Sequence, residues 1–277
     1  MPNAKPLANS NPVALITGAS AGIGAEFAKI FASHGYDLIL VARRKEKLNE
    51  LAQSLQDPRK QGACQVHCIS LDLCKVKGPS KLYNEVASLG LSVDVLVNNA
   101  GSAFQGSFAD MPSQKIRDMT SLNVRALSEI THQFLPQMLK RGSGKILNVA
   151  SVVGFQAIAG MSLYSATKAF VLSFSESLSE ELRGTGVSVC ALCPGLTNTE
   201  MVGDLGTDKI PGAHLLMADA YTVALEGYNA LNCQQVVRIP GMLNRAVINW
   251  AEYQPRWLKR ALTGVAGRAM LSQRRSS

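Results

Sequence analysis

Tyr164 and Lys168 stand four residues apart in a segment of helical period, Ser162 to Leu182, a spacing that puts phenol and ammonium on one helix face. A tyrosine, with a reference pKa near 10, is a poor acid–base catalyst at neutral pH; a nearby cation favours phenolate and can lower that value by ~1–3 units. The pair therefore predicts proton transfer, which Tyr164 alone does not. Ser151, thirteen residues before Tyr164, closes the apolar run Gly144-Lys145-Ile146-Leu147-Asn148-Val149-Ala150 and can offer a hydroxyl to the same centre. Singly each residue has an ordinary role: Tyr164 in an amphipathic core, Lys168 as a surface charge, Ser151 in a turn. Their position relative to the strands and helices decides.

A second constellation, Thr17-Gly18-Ala19-Ser20-Ala21-Gly22-Ile23-Gly24, follows the apolar run Val13-Ala14-Leu15-Ile16 and opens a helical segment. Glycines without Cβ let a phosphate approach the backbone, and a helix N-terminus presents N–H donors and positive potential to it. Between a strand and a helix, such a cluster predicts dinucleotide binding. About twenty residues on, NAD-binding chains carry an acid for the ribose hydroxyls. Here Ala42 is followed by Arg43 and Arg44. A guanidinium pairs with the extra phosphate of NADP through bonds worth about 1.5–3 kcal/mol, which predicts an NADP(H) preference of roughly ten- to a hundredfold. The plainer reading of the two arginines is the start of a solvated helix. Asp72 can accept from an adenine amino group or cap a turn.

These residues need a frame. Strands are predicted at 13–16, 38–41, 64–69, 93–97, 145–149, 187–192 and 236–239, with helices at 23–34, 45–56, 79–90, 113–140, 162–182 and 216–231. Alternating apolar strands and helices predict an α/β fold of Rossmann type: a doubly wound, parallel, seven-stranded sheet with helices on both faces and a C-terminal helical extension. The expected organisation is a flexible leader at 1–11, the Rossmann-type domain at 12–240 and a basic amphipathic tail at 241–277. In such sheets ligands bind beyond the carboxyl ends of the strands, where both constellations lie.

In residue type, spacing and order the chain resembles the short-chain dehydrogenase/reductase family over approximately residues 12–240. The resemblance rests on Thr17 to Gly24 as TGxxxGxG, Asp72, Asn98-Asn99-Ala100-Gly101, Asn123, Ser151, Tyr164-x-x-x-Lys168, and Pro194-Gly195 followed by Thr199. It implies hydride transfer between a nicotinamide and a carbonyl or alcohol. Tyr164 would donate the proton in reduction, Ser151 orient the carbonyl, Lys168 hold the ribose and activate the tyrosine, and Asn123 hold a proton-relay water. It also implies a cofactor site of Thr17, Gly18, Ser20, Gly22, Ile23, Gly24, Arg43, Arg44, Asp72, Leu73, Asn99, Ala100, Gly101, Pro194, Gly195, Thr197 and Thr199 besides Tyr164 and Lys168. Ala42-Arg43-Arg44 and Tyr164 to Phe170 look like the NADPH-dependent branch, which includes ketoreductases, 3-oxoacyl-thioester reductases and hydroxysteroid dehydrogenases. Homodimers or homotetramers are expected. An intact catalytic set argues against the reading of another class, a non-catalytic nicotinamide sensor or scaffold.

Apolar residues flank the reaction centre: Phe155, Ile158 and Met161 before Tyr164, then Met201, Leu205, Ile210, Leu215, Leu216 and Met217. With no evident carboxylate-binding arginine they predict a lipophilic carbonyl, with Ser151, Phe155, Met161, Tyr164 and Met201 touching it. No metal site is expected. Cys190 and Cys193 lie three apart on a strand and so on opposite faces, and His67 is likewise opposed to Cys64 and Cys68. Six scattered cysteines do not form a disulfide framework.

No apolar run reaches the ~18 residues of a membrane span, and the first residues lack a signal-peptide core, so a soluble, cytoplasmic protein is expected. Of the formal charge of +8, eight bases and Glu252 place +7 in residues 238–277. The remainder is nearly neutral, which excludes a globally basic nucleic-acid binder. The tail itself, with Met242, Leu243, Ala246, Val247, Trp250, Trp257, Leu258, Ala261, Leu262 and Val265 at helical spacing among bases, admits two readings. It is an interfacial membrane helix, or, the favoured expectation, a segment packed over the substrate cleft or against another subunit.

Overall fold

The computed structural model describes residues 11–56, 64–200, 217–255, 257–261 and 263–264. Strands β1 (Val13–Thr17), β2 (Asp37–Ala42), β3 (Val66–Ser70), β4 (Val95–Asn98), β5 (Gly144–Val149), β6 (Val187–Leu192) and β7 (Val237–Arg238) alternate with helices. These are α1 (Gly22–Ser33), α2 (Lys45–Leu55), α3 (Gly78–Ser88), α4 (Ser113–Thr120), α5 (Leu127–Arg141), α6 (Ser162–Glu181), α7 (Ala220–Asn232) and α8 (Met242–Glu252). The strands form one parallel sheet in the order β3-β2-β1-β4-β5-β6-β7. After β3 the chain crosses back to lay β4 on the far side of β1, and the connections there diverge to leave a crevice at the strand carboxyl ends.

The sheet explains why its strands read as unbroken apolar runs. Ala14 and Ile16 pack on one face with Phe27 and Phe31 of α1 and Tyr228 of α7, while Val13 and Leu15 pack on the other with Leu82 of α3, Phe134 of α5 and Leu178 of α6. Burying both faces leaves no polar alternation to read. Phe31 meets Tyr36 and Tyr228 edge-on at 5.0 and 5.1 Å. Phe31, fully buried, contributes about 1.5–3 kcal/mol, so these contacts fix α1, and with it the glycine turn at its N-terminus.

Three expected elements change. The helix at 113–140 is interrupted by a π turn at Ser121–Ala126, which separates α4 from α5. Strand β7 is two residues long, and the Arg238 counted with the basic tail lies in it, paired with Glu226 at 2.8 Å. Helix α7 starts at Ala220, where the Asp219 carboxylate accepts from the N–H of Thr222 at 3.1 Å. After Gly241, α8 turns back on the domain and buries Ile248 and Ala251. Met201, Leu205, Ile210, Leu215 and Leu216, with Arg256, Leu262 and Val265 in the tail, lie outside the described residues.

Candidate active site

Gly18 and Gly22 turn the chain from β1 into α1 with φ of +69° and +56°, a region that side chains disfavour. A Cβ on Gly18 would stand 2.8 Å from Asn99 Nδ2 and 2.9 Å from Ala100 Cα, and one on Gly24 2.5 Å from that same amide. The turn is thus clamped against the end of β4. Asn99 Nδ2 donates to the carbonyls of Thr17 and Gly18 at 2.9 and 3.2 Å, and the Thr17 hydroxyl accepts from the N–H groups of Asn99 and Ala100, both at 3.0 Å. Ala21, just before α1, supplies no side-chain cap, and the first turn of the helix contains no acid. Its N–H groups and positive end are available to a phosphate. These features, with no acid at Ala42, fit a nicotinamide dinucleotide.

Ser151 follows β5, and Tyr164 and Lys168 stand on the first turns of α6, all at the same end of the sheet. Lys168 is buried; its Nζ donates to the Val149 carbonyl at 2.7 Å and lies 5.7 Å from the centre of the Tyr164 ring. Ser151 Oγ donates to the Pro194 carbonyl at 3.3 Å. Asn123 is held by the π turn: its Oδ1 accepts from Ser102 N–H at 2.9 Å, and its Nδ2 donates to the Ser102 carbonyl and to Thr167 Oγ1 at 2.9 and 3.0 Å. From the Cα of Gly101, a Cβ would point to Asn123 Oδ1 at 3.4 Å and Lys168 Nζ at 3.6 Å. The amide oxygen and the ammonium therefore border one small space beside Gly101.

The expected lowering of the Tyr164 pKa is overturned. Burial pushes the phenol up to about 12, with the Ser151 hydroxyl pulling weakly the other way. Burial also lowers Lys168 to about 8. The loss of solvent sets the direction, for the Lys168 ammonium is committed to the Val149 carbonyl. Tyr164 thus stands as a neutral phenol over the physiological range, in the form that gives a proton. For Lys168 the folded value lies below the unfolded one, so from about pH 8 to pH 10.5 the unfolded chain binds the extra proton and stability from this group rises with pH. Relative to Lys168→Met, the wild type should gain about 3 kcal/mol across that window, measured by urea unfolding of both proteins. A constant difference would show that Lys168 titrates normally.

A groove of about 590 Å3 joins the glycine turn to Ser151, Tyr164 and Lys168. Most of the predicted site residues border it. Thr17, Gly24 and Asn123 lie behind its wall, where they fasten the residues that do. Phe155 does not border it and packs instead on the cluster around Val171 and Ala191. Met161 borders a small neighbouring crevice with Phe104, Phe108 and Met111. One Asp72 oxygen accepts from Cys74 N–H at 2.9 Å, the turn-capping alternative, while the residue still borders the groove.

Arg43 and Arg44 form the rim of the groove, exposed, beside Ser20. Arg44 donates to Ser20 Oγ at 3.0 Å and pairs with Glu200 at 2.6 Å; Lys47 also pairs with Glu200. Glu200, directly after Thr199, also borders the groove, with no motif in the sequence to mark it. Phe104 and Gln105 border it too, and their place after β4, at the carboxyl end where ligands bind, is the signal that marks them.

The chain is similar to known proteins. Residues 12–210 match the family model described as short chain dehydrogenase. Sulfoacetaldehyde reductase 2 of Chromohalobacter salexigens is 37% identical over 194 residues, 68% of this chain and 73% of that protein. A short-chain dehydrogenase from Sphingobium yanoikuyae, solved in complex with NADPH, has a TM-score of 0.77 and 33% identity, covering 88% of this chain and 96% of its own. The bulky-bulky ketone specific alcohol dehydrogenase of Comamonas testosteroni gives 0.74 and 30%, covering 90% and 96%. The matched span begins at β1 and carries the glycine turn, Asn123, Ser151, Tyr164 and Lys168 in one order, and so the chain belongs to the short-chain dehydrogenase family.

Proposed function

We propose that the protein is an NADP(H)-dependent ketoreductase, moving a hydride between the nicotinamide and the carbonyl or alcohol of an apolar substrate. The observation that carries this reading is one groove with the unblocked α1 N-terminus and Arg43 at one end and Ser151, Tyr164 and Lys168 at the other. When bound, NADPH supplies the hydride. Tyr164, neutral, gives its proton to the carbonyl oxygen, and the Ser151 hydroxyl, turned from its long bond to the Pro194 carbonyl, donates to that oxygen and fixes its position. Lys168 would hold the nucleotide ribose, its ammonium offsets the negative charge left on Tyr164, and a water between Asn123 and Lys168 returns a proton from solvent to the phenolate. NADPH in the Sphingobium relative and bulky ketones for the Comamonas relative support the cofactor and substrate class. Ala103, Phe104 and Leu122 on the groove wall favour an apolar substrate.

The cofactor half of the proposal has its own test. Arg43→Ala should weaken NADPH by roughly ten- to a hundredfold and NADH little, since NADPH alone loses a phosphate pair. Titration of both cofactors reads this directly. Equal weakening would remove Arg43 from the phosphate site. The substrate half is read by NADPH consumption against aldehydes, steroids, quinones and 3-oxoacyl thioesters. The expectation is preference for the apolar ketones among them, and faster turnover of a keto acid or a sugar carbonyl added to the same panel would overturn it.

A further inference from the structure

Six of the thirteen exposed large apolar side chains among the described residues fall within sixteen positions of the tail: Met242, Leu243, Val247, Trp250, Tyr253 and Trp257. Helix α8 has two faces. Ile248 and Ala251 are buried, Ile248 in one hydrophobic cluster with Leu172 and Cys193, and on the same side Asn244 lies against Gly195 of the groove-lining loop. At about 100° per residue, Met242, Ala246, Trp250, Leu243 and Val247 share an arc of about 140° on the other side, away from that buried face. Met242 is 84% exposed, Trp250 54% and Tyr253 89%. A helix that already has its core-facing stripe buried has no internal use for a second apolar face.

Charge selects the occupant. Residues 241–277 hold seven bases, among them Arg245, Lys259 and Arg260, against the single acid Glu252, which gives +6 of the protein's +8. Arg245 and Arg260 are exposed, and Arg245 lies about 60° round the helix from Met242, at the edge of the apolar face. A second copy of this chain would bring +6 against +6 in a twofold contact, and the rest of the chain, at +2, has no acidic excess to receive the tail. Tryptophan and tyrosine with interleaved bases match the boundary of a bilayer carrying anionic headgroups, where an amphipathic helix lies in the plane of the surface. We infer that α8 and the segment after it dock the protein on an anionic membrane surface through Met242, Leu243, Val247, Trp250, Tyr253 and Trp257. The inference is independent of the reductase reading.

Both tryptophans of the chain, Trp250 and Trp257, lie on this surface, so the emission of the unlabelled full-length protein reports on it. Vesicles of phosphatidylcholine with about 30% phosphatidylserine should shift that emission to the blue and sediment with the protein. Pure phosphatidylcholine vesicles, or ~0.5 M salt, should reduce binding at least tenfold. Leu243→Ser with Val247→Ser keeps both reporters and should lose binding at least tenfold at an unchanged melting temperature. If that pair disturbs folding, Arg245→Glu with Arg260→Glu, both exposed, should give the same loss. No shift and no co-sedimentation at any composition would overturn the proposal. So would a lipid-free protein of doubled sedimentation mass that becomes monomeric in the serine variant, for the face would then be a self-interface.

Discussion

Turnover of an apolar ketone with NADPH should fall about 10²–10⁴-fold in Tyr164→Phe, with NADPH affinity changed by less than about threefold. The phenylalanine keeps the ring in its half-buried place on α6 and removes the one proton positioned beside the Ser151 hydroxyl. The phenol is held near a pKa of about 12, so it is protonated at every pH at which the fold is assayed, and its loss cannot be made good by raising the acidity of the medium. Steady-state rates and a fluorescence titration of NADPH separate chemistry from binding. A variant that keeps most of its activity would show that another group delivers the proton.

Gly24→Ala should weaken NADPH binding at least tenfold and lower stability by about 1–3 kcal/mol. Gly24 lies behind the groove wall, so a contact argument alone would expect nothing from it. Its added methyl would stand 2.5 Å from Asn99 Nδ2 and also meet the Gly18 carbonyl, a backbone atom that cannot swing aside. Either α1 withdraws from β4 or the amide of Asn99 gives up its bonds to Thr17 and Gly18. Both moves displace the N–H groups that face the phosphates. Cofactor titration and urea unfolding measure the two effects separately, and normal values for both would show that the turn is slack.

What the sequence made legible follows from how strongly local chemistry constrained it. The strands were readable because a sheet buried on both faces needs continuous apolar runs, and the glycine turn because its positive φ values and close approach to Asn99 exclude other residues. The spacing of Tyr164 and Lys168 held because α6 is regular across them. Asn123 was named as a site residue, but the π turn carrying it was not, since one extra residue in a helical pattern is justified only by distant partners, Ser102 and Thr167. Glu200 was missed for a like reason: its ion pair with Arg44 spans 156 positions. The direction of the Tyr164 shift was wrong because sequence displays a neighbouring cation but not the burial that overrides it.

Hydride transfer to a carbonyl is the central claim, and isotope transfer measures it with least intervening inference. The full-length protein would be incubated with an apolar ketone and NADPH carrying deuterium at both positions of nicotinamide C4, and the product alcohol analysed by mass spectrometry and NMR. One deuterium is expected on the carbinol carbon, formed at a rate that Tyr164→Phe lowers about 10²–10⁴-fold. Alcohol whose carbinol hydrogen comes from water, or no alcohol from any ketone while NADPH binds normally, would contradict it.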